Sequence, residues 1–197
     1  MAALDRNYHH GDLRSALLEA ALATVENDGV AALSFRQLAR IANVSPGAPY
    51  HHFRDKNALL ASLAKRGFEA LHAELETSCS SGSDPVLCLR ALVDSYLRFA
   101  RTSPKLYNLL FLPEVARPEN LDLIEPDAMI CFNRLKDALG RLDTQAGEDD
   151  LHERALTVWS LLHGLVSLLE SGPLTRSMSG QAGADLAARS AMKLALA

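Results

Sequence analysis

The stretch LSFRQLARIANVSPGAPYHHFRDKNALL, residues 33–60, decides the fold of this chain. Ser34 stands where a helix can begin, and Gln37 follows three residues later, which is the spacing of a capping box. Apolar residues then recur at helical intervals, and this pattern ends near Ala42. The pattern predicts a short helix between these two ends.

A second start signal follows within a few residues. Ser45 before Pro46 is a cap followed by a proline at the first helical position, so a third helix is predicted to begin there and to end near Phe53. Asp55 then caps a long fourth helix, and the helix ahead of the stretch ends at Gly29, whose missing Cβ suits a C-cap. Two short helices joined by a tight turn, with a longer helix ahead of them, form a helix-turn-helix.

The rest of the chain is predicted to be helical too, so the fold class is all-α. Apolar residues recur three and four positions apart, and long alternating β-branched runs do not occur in the sequence. A Ser-rich linker at 77–85 and a Gly- and Ser-rich segment at 171–183, predicted to be mobile, punctuate the chain. The later helices are predicted at 86–102, 104–112, 126–142, 149–171 and 184–197.

This organisation divides the chain into three parts. Residues 1–55 form an N-terminal arm and a three-helix domain that contains the helix-turn-helix, residues 56–80 form a connecting helix, and residues 81–197 form a C-terminal helical domain. Charge follows a similar division. The net charge is −4, but residues 1–66 carry 8 Lys and Arg against 6 Asp and Glu, while the remainder carries 12 against 18. The distribution favours a polyanion-binding end and an acidic remainder, although charge alone leaves chance as an alternative.

Several classes of site are disfavoured by the composition. The three cysteines are widely spaced without a CxxC pair, which indicates neither a disulfide framework nor a zinc site. No apolar run approaches the ~20 residues of a membrane span, and the start lacks the pattern of a signal peptide. A Gly-rich phosphate loop, a nucleophile elbow and metal-ligand spacing are also missing from the sequence. We therefore expect a cytoplasmic protein that is not an enzyme, with no cofactor, no metal and no membrane partner.

The first turn of the predicted third helix carries little side-chain bulk. Gly47 and Ala48 leave backbone N–H groups accessible, and helix N-termini attract anions, so phosphate can approach closely. Tyr50, His51 and His52 supply a phenol and two imidazoles that can bond phosphate oxygens or stack on sugars. The alternative is a set of merely solvated side chains. A metal site is disfavoured because adjacent histidines diverge by about 100° on a helix.

Other residues extend this surface or limit it. Arg36 and Lys56 are predicted to contact phosphates, and the pair His9-His10 belongs to a mobile arm that can lie along a DNA backbone. Phe53 is predicted to pack in the core of the domain. Pro49 lacks the N–H that would bond the carbonyl one turn earlier, so the third helix should be short and irregular.

The whole stretch resembles the DNA-binding domain of the TetR family of transcriptional regulators. The capped second helix, the Val-Ser turn, YHHF and DKNALL occur together at the family's spacing, and the likeness covers residues 8–70. One departure is Pro49, because the residue before the recognition-helix tyrosine is often aliphatic in the family. The resemblance implies contacts with double-stranded operator DNA, and the predicted DNA-binding residues are Ser34, Arg36, Ser45, Gly47, Ala48, Tyr50, His51, His52 and Lys56.

A second resemblance lies near the C-terminus. The run LHERALTVWSLLHGLVSLLESG, residues 151–172, carries Trp159, His163 and Gly164 in a W-x-x-x-H-G pattern. This pattern resembles the subgroup of TetR-type regulators named for a WHG motif, and the leading YHHGDLR is similar to N-termini in that subgroup. The resemblance implies that the domain at 81–197 binds a small-molecule effector and dimerises.

An aromatic-rich middle of the chain is the expected place for an effector cavity, because such cavities form between helices lined by aromatic side chains. Trp159 and His163 share one helix face, which fits a cavity wall but fits better a core where a neighbouring helix satisfies the histidine. The ligand-binding candidates are Tyr96, Phe99, Tyr107, Phe111, Met129, Phe132, Trp159 and His163, with Cys131 beside them.

Two helix faces are candidates for a dimer interface. Small residues fall on one line of the helix at 149–171, and the last helix carries a mixed apolar and small stripe, so two chains can form a four-helix contact. The alternative is that both faces close the monomer. The candidates are Ser160, Gly164, Ser167, Ser171, Leu186, Ser190 and Leu194, with Ala197 at the end of the stripe.

Together these patterns predict a homodimeric regulator, more specifically a repressor that an effector releases from a palindromic operator. A helical interaction protein without DNA affinity is the main alternative, and it would show no salt-dependent DNA binding. A helical enzyme is the other alternative.

Overall fold

The computed structural model describes residues 10–78, 84–170 and 181–196, and within these ranges it contains helices and no strand. The all-α prediction is confirmed. Residues His9, Cys79, Ser171 and Ala197 and most of the two predicted linkers lie outside the described residues. The α-helices are α1 His10–Asp28, α2 Phe35–Ile41, α3 Lys56–Thr77, α4 Pro85–Thr102, α5 Pro104–Leu110, α6 Pro118–Leu142, α7 Glu148–Glu170 and α8 Gln181–Ala195.

The chain forms two compact units, each built from two separate stretches of sequence. The first unit comprises Met1–Arg66 and Lys105–Ile124, and the second comprises Gly67–Pro104 and Glu125–Ala197. The three predicted parts instead follow one another along the sequence. The difference matters for two ligand candidates predicted in the C-terminal domain. Tyr107 on α5 and Phe111 just after it fall in the first unit.

The core of the first unit begins on one face of α1. Leu17, Ala21 and Val25 are spaced by four residues and are fully buried, as the apolar pattern of this helix predicts. After α1 the chain turns at Gly29, whose φ of 86° lies in the region that glycine reaches without steric cost. Its N–H donates to the carbonyl of Val25 at 2.9 Å, which closes the end of the helix.

The predicted caps of α2 and α3 are present in the first unit. The Ser34 hydroxyl accepts a hydrogen bond from the Gln37 N–H at 3.3 Å. The Asp55 carboxylate accepts from the Ala58 N–H at 2.8 Å. This backbone hydrogen bond, with Arg54 beside it, lowers the pKa of Asp55. Both caps are local, so the sequence was sufficient to predict them.

The predicted third α-helix is wrong. In its place the chain forms a 3₁₀ segment at Ala48–His51. An α-helix would join the Ser45 carbonyl to the N–H of residue 49, but residue 49 is a proline and has none. The Ser45 carbonyl instead accepts from the Ala48 N–H at 3.0 Å. The expectation of a short, irregular segment at Pro49 is confirmed.

The second unit contains α4, α7 and α8 with the later parts of α3 and α6. In it α7 and α8 pack together, and α4 packs against both. The start predicted for α6 at residue 126 is wrong, because the helix begins at Pro118 and carries Pro126 in its interior. Pro118 occupies a first-turn position, where the missing N–H costs nothing. An interior proline removes a single ladder bond, which the rest of this 25-residue helix tolerates.

Two further features bear on the expectations from composition. The cysteine spacing indicated no disulfide framework, but Cys88 is disulfide-bonded, so that prediction was wrong for this residue. Cys131 is free and buried. Among the helices in the described ranges, none combines the length and the apolar character needed to cross a membrane.

The cap of α2 gives a prediction about stability. Ser34→Ala removes the acceptor for the Gln37 N–H and should lower the free energy of unfolding of the first unit by about 1 kcal/mol. Ser45→Ala is the matched control, since the 3₁₀ segment that follows Ser45 has no side-chain cap bond, and it should cost much less. Urea unfolding followed by circular dichroism, without DNA, measures both. Equal losses in the two variants would contradict the cap assignment.

Candidate nucleic-acid interface and ligand cavity

The predicted DNA-binding residues all lie in the first unit, on or beside α2 and the 3₁₀ segment and at the start of α3. Most of them are open to solvent. Ala48 and His52 are half-buried, and the exposed members are Ser34, Arg36, Ser45, Gly47, Tyr50, His51 and Lys56. The structure therefore brings together on one unit the side chains that the sequence assigned to one function.

The backbone around Gly47 is open but offers fewer donors than expected. A Cβ added at Gly47 would meet nothing within 4 Å, and the φ of −82° suits any residue. Neither packing nor conformation requires glycine there. The Ala48 N–H, expected to be available to phosphate, already donates to the Ser45 carbonyl at 3.0 Å. A phosphate can therefore still approach the backbone at Gly47, but the Ala48 N–H is not free to bind it.

Tyr50 packs against one neighbouring ring and is otherwise largely exposed to solvent. Its ring meets the Phe35 ring edge-on, with centroids 4.7 Å apart and planes at 85°. Such edge contacts are favourable for aromatic pairs. Phe35 is buried, whereas 62% of Tyr50 is exposed. The pair anchors the tyrosine of the 3₁₀ segment on α2, and Pro49 beside it is buried.

Lys56 has a structural contact that sequence reasoning missed. Its Nζ donates to the Val30 carbonyl at 3.0 Å, which ties the start of α3 to the 3₁₀ turn Val30–Ala32. The two residues are 26 positions apart, and no local pattern signals the bond. Lys56 is therefore engaged within the unit, and a phosphate contact would compete with this bond.

Arg40 is a second feature that the sequence analysis did not single out. Arg36 and Arg40 lie four residues apart on α2, so they share one face of the helix. With Gln37 and Pro46 they border a shallow depression of about 530 Å³. The spacing from Arg36 was a signal that could have identified Arg40. The two guanidinium groups give this depression a positive edge suited to phosphate.

The second unit contains a small cavity of about 30 Å³. Two predicted ligand residues, Tyr96 and Trp159, line it, and Cys131 lines it with them. The lining residues are Leu71, Leu75, Leu92, Val93, Tyr96, Cys131, Leu135, Trp159 and Leu162.

An aromatic cluster surrounds one side of this cavity. The Trp159 ring lies 6.3 Å from the Tyr96 ring and 5.6 Å from the Phe132 ring, between centroids. Phe132 also contacts the His152 ring at 5.0 Å. Three of the predicted ligand residues are thus gathered around one point, with His152 as an addition that the sequence analysis missed.

The remaining ligand candidates lie elsewhere. Phe99 is buried but does not line the cavity, and Met129 is 38% exposed. Tyr107 and Phe111 belong to the first unit, where their rings pair at 5.2 Å. His163 is half-buried, and burial lowers its pKa, so the neutral imidazole is favoured.

Cys131 is held as a neutral thiol. Burial, with the negative charge of Asp127 as a second cause, raises the pKa of the Cys131 thiol from 9.0 to about 12. The thiol donates to the Phe68 carbonyl at 3.5 Å. A thiol of this kind packs as a small apolar group and reacts slowly.

The candidate dimer residues lie on α7 and α8. Ser160, Ser167 and Leu194 are exposed, whereas Gly164, Leu186 and Ser190 are half-buried. A Cβ added at Gly164 would meet nothing within 4 Å. Two neighbours on α7 were missed by the sequence analysis, because Leu156 is 54% exposed and Leu168 is 43% exposed. Large apolar side chains therefore accompany the small ones on the outward face of α7.

Comparison with known families gives two matches along the chain. Residues 17–63 match the family described as bacterial regulatory proteins, tetR family. Residues 89–192 match the tetracyclin repressor-like C-terminal domain, and this match spans more than half of the chain. Neither description contains the WHG subgroup, so that finer assignment stays a prediction.

Individual relatives agree with these matches. A solved structure from Rhodococcus sp. RHA1, described as a protein with unknown function, is 31% identical, covers 98% of this chain and 97% of its own, and has a TM-score of 0.77. The HTH-type transcriptional regulator BetI of Ectopseudomonas mendocina (strain ymp) is 36% identical over 41% of this chain and 42% of its own length. The HTH-type transcriptional repressor KstR of Mycolicibacterium smegmatis is 31% identical over 47% of this chain and 46% of its own. The chain thus matches less than half the length of these curated relatives.

The buried thiol gives a prediction about reactivity. Because the pKa of Cys131 is about 12, its thiolate fraction at pH 8 is about a thousandfold below that of a thiol with a pKa of 9.0. Alkylation of Cys131 in the folded chain should therefore be at least a hundredfold slower than in urea, as measured by mass spectrometry of the peptide that contains it. Similar rates in both conditions would contradict the burial.

The same shift predicts how stability depends on pH. The unfolded chain releases the Cys131 proton near pH 9, whereas the folded chain holds it until about pH 12. The contribution of this buried thiol to the free energy of unfolding is therefore present below pH 9 and is lost as the pH rises from 9 to 12. Cys131→Ala is the control, because its stability should fall less steeply over the alkaline range.

Proposed function

Because this chain belongs to the TetR family of bacterial regulatory proteins, we propose that it is a DNA-binding transcriptional repressor released from its operator by a small molecule. The observation that carries the proposal is the exposed surface formed by α2 and the 3₁₀ segment within residues 17–63. It combines the two guanidinium groups of α2, an anchored tyrosine and an open backbone at Gly47. The proposal places the protein in the cytoplasm, where its DNA partner lies.

Each part of this surface has its own role in the proposal. Arg36 and Arg40 contact phosphates and fix the position of the domain on the duplex. Gly47 lets the backbone come close to the DNA, and Tyr50, His51 and His52 contact the sugar-phosphate chain beside it. Ser34 and Lys56 act mainly within the domain, since both are engaged in its caps and ties.

A dimer is the proposed active form. The outward face of α7 carries Leu156, Gly164 and Leu168, which are spaced by eight and four residues, and α8 adds Leu194. A two-fold contact through these helices buries the exposed leucines of both chains. Two helix-turn-helix units related by a two-fold axis require an inverted repeat whose half-sites lie about 34–36 Å apart, or a multiple of that distance.

The effector is proposed to act through the cavity beside Trp159. Helix α3 supplies Leu71 and Leu75 to this cavity, and the same helix begins at Lys56 in the DNA-binding unit. A ligand that prefers one placement of α3 shifts the population of binding-competent chains, because it binds the two states unequally.

Two other functions are less well supported. The matching families and curated relatives are transcriptional regulators, which excludes the enzyme alternative. A helical interaction protein would leave the exposed α2 arginines and the open Gly47 without a role. The salt dependence of DNA binding separates this alternative from the proposal.

The first functional prediction concerns phosphate contacts. Arg36→Ala should weaken binding to every DNA sequence and reduce the slope of log affinity against log salt by about 0.9, because one phosphate contact is lost. The measurement is fluorescence anisotropy on an operator obtained by selection from random duplexes. Lys193→Ala, which removes an exposed charge on α8, is the matched control and should leave the slope unchanged.

Two results would contradict this prediction or the proposal. If the slopes of both variants equal that of the unmodified chain, Arg36 is not on the DNA-binding surface. If selection enriches no inverted repeat and binding shows no salt dependence, the chain is not the proposed regulator.

The second functional prediction concerns assembly. Gly164→Leu should shift the chain from dimer towards monomer, because the added side chain fills space that the partner's helix occupies. Within one chain the first added atom meets nothing, so the isolated fold should keep its stability. Sedimentation velocity measures the shift. Gly147→Leu is the control, since its Cβ also meets nothing but the residue lies before the start of α7. A full dimer for both variants would place the interface elsewhere.

A further inference from the structure

The walls of the cavity in the second unit are almost entirely apolar. Six of its nine lining residues are Leu or Val. Polar atoms come only from Tyr96, Cys131 and Trp159, and none of these side chains is charged at neutral pH. The Cys131 thiol keeps its proton because burial raises its pKa to about 12, and it donates to the Phe68 carbonyl.

Four charged side chains beside one stretch of these walls are paired with one another. Glu74 and Glu76 flank Leu75 on α3, and their carboxylates accept hydrogen bonds from Arg98 at 2.6 Å and from Arg134 at 2.7 Å. These four side chains are partly exposed and satisfy one another outside the cavity lining. None of the nine lining residues is Asp, Glu, Lys or Arg, so a charged ligand in the cavity would lose its water without a counter-charge in the wall. Outside the wall, the negative charge of Asp127 acts on the Cys131 thiol and adds to the disadvantage of an anion.

This environment selects against charge. An ion transferred from water into an apolar site is strongly disfavoured unless a partner and hydrogen bonds compensate it. An uncharged ligand instead gains from the removal of apolar surface from water. Tyr96 and Trp159 provide at most a few polar atoms to orient such a ligand, which is how apolar pockets set specificity.

The size of the cavity adds a second constraint. At about 30 Å³ it is far smaller than the roughly 300–1,000 Å³ of typical ligand pockets, so a ligand must open it. Trp159 is the largest side chain in the wall, and it is half-buried rather than buried. Its ring packs against the rings of Tyr96 and Phe132. Displacement of the indole would free space beside the rings of Tyr96 and Phe132, where another aromatic ring can pack at an angle as the indole does.

We propose that the effector is an uncharged, mainly apolar aromatic molecule with one hydrogen-bonding group, which enters beside Trp159 and takes the place of its indole. The regulatory role of this ligand rests on the proposed function, whereas its binding chemistry rests on the residues of the cavity. A ligand that displaces Trp159 binds only the opened state, so its affinity for the two states differs and it can shift their populations.

The test uses the full-length chain and the fluorescence of Trp159, which is the single tryptophan of the sequence. The probes are 4-propylphenol, 4-propylbenzoate and 4-propylbenzylamine at pH 7, which share a shape and are neutral, anionic and cationic. The phenol should bind at least about tenfold more tightly than either charged probe and should shift the emission of Trp159 towards that of exposed indole. It should also lower operator affinity, whereas the charged probes should not.

A pair of cavity variants sharpens the test. Leu162 lines the cavity and is 3% exposed, so Leu162→Ala should enlarge the space and tighten phenol binding by about tenfold. If this variant does not fold, Leu162→Val makes a smaller change in the same direction. Leu109→Ala is the control, because Leu109 is equally buried but belongs to the first unit, and it should leave phenol affinity unchanged.

Three outcomes would overturn the inference. The first is a charged probe that binds as tightly as the phenol or more tightly. The second is the absence of phenol binding to the unmodified chain and to both Leu162 variants. The third is phenol binding that leaves operator affinity unchanged. Failure of the proposed function itself would instead appear as the absence of salt-dependent operator binding before any probe is added, so the two failures are distinguishable.

Discussion

The missing N–H of Pro49 is the constraint on which the proposed DNA-binding surface depends. Because no hydrogen bond can join the Ser45 carbonyl to residue 49, that carbonyl bonds the Ala48 N–H and the chain follows a 3₁₀ path. The ring of Pro49 is buried in the first unit, so the same residue anchors the segment while denying it an α-helix. The tighter path sets Tyr50 edge-on against Phe35. A residue other than proline at position 49 would not forbid the α-helical bond.

How much the sequence predicts depends on the range of the interaction. The caps at Ser34 and Asp55 join atoms three residues apart, so the local pattern is sufficient for both. The hydrogen bond from Lys56 to the Val30 carbonyl spans 26 positions, and no local sequence pattern indicates it. The start of α6 was misplaced for a related reason, since Pro126 reads as a boundary and only the packing of the unit shows that the helix continues through it.

The same distinction applies to the cavity. Aromatic content identified Tyr96, Phe132 and Trp159, which the structure gathers in one cluster. It also identified Tyr107 and Phe111, which fall in the other unit, because composition does not reveal which helices meet. The aliphatic wall was not predicted at all. Leucines such as Leu71 and Leu162 look like ordinary core in the sequence, and their role depends on a gap in packing that only the fold creates.

Helix α3 connects the two sets of observations. It is 22 residues long, and the division between the compact units falls within it, between Arg66 and Gly67. Its start carries the Lys56 bond to Val30 and the Asp55 cap, and its second half contributes Leu71 to the cavity. In the proposed mechanism, a ligand that opens the cavity acts on the helix whose start belongs to the unit proposed to bind DNA, so operator affinity can change without any chemical change in a DNA contact.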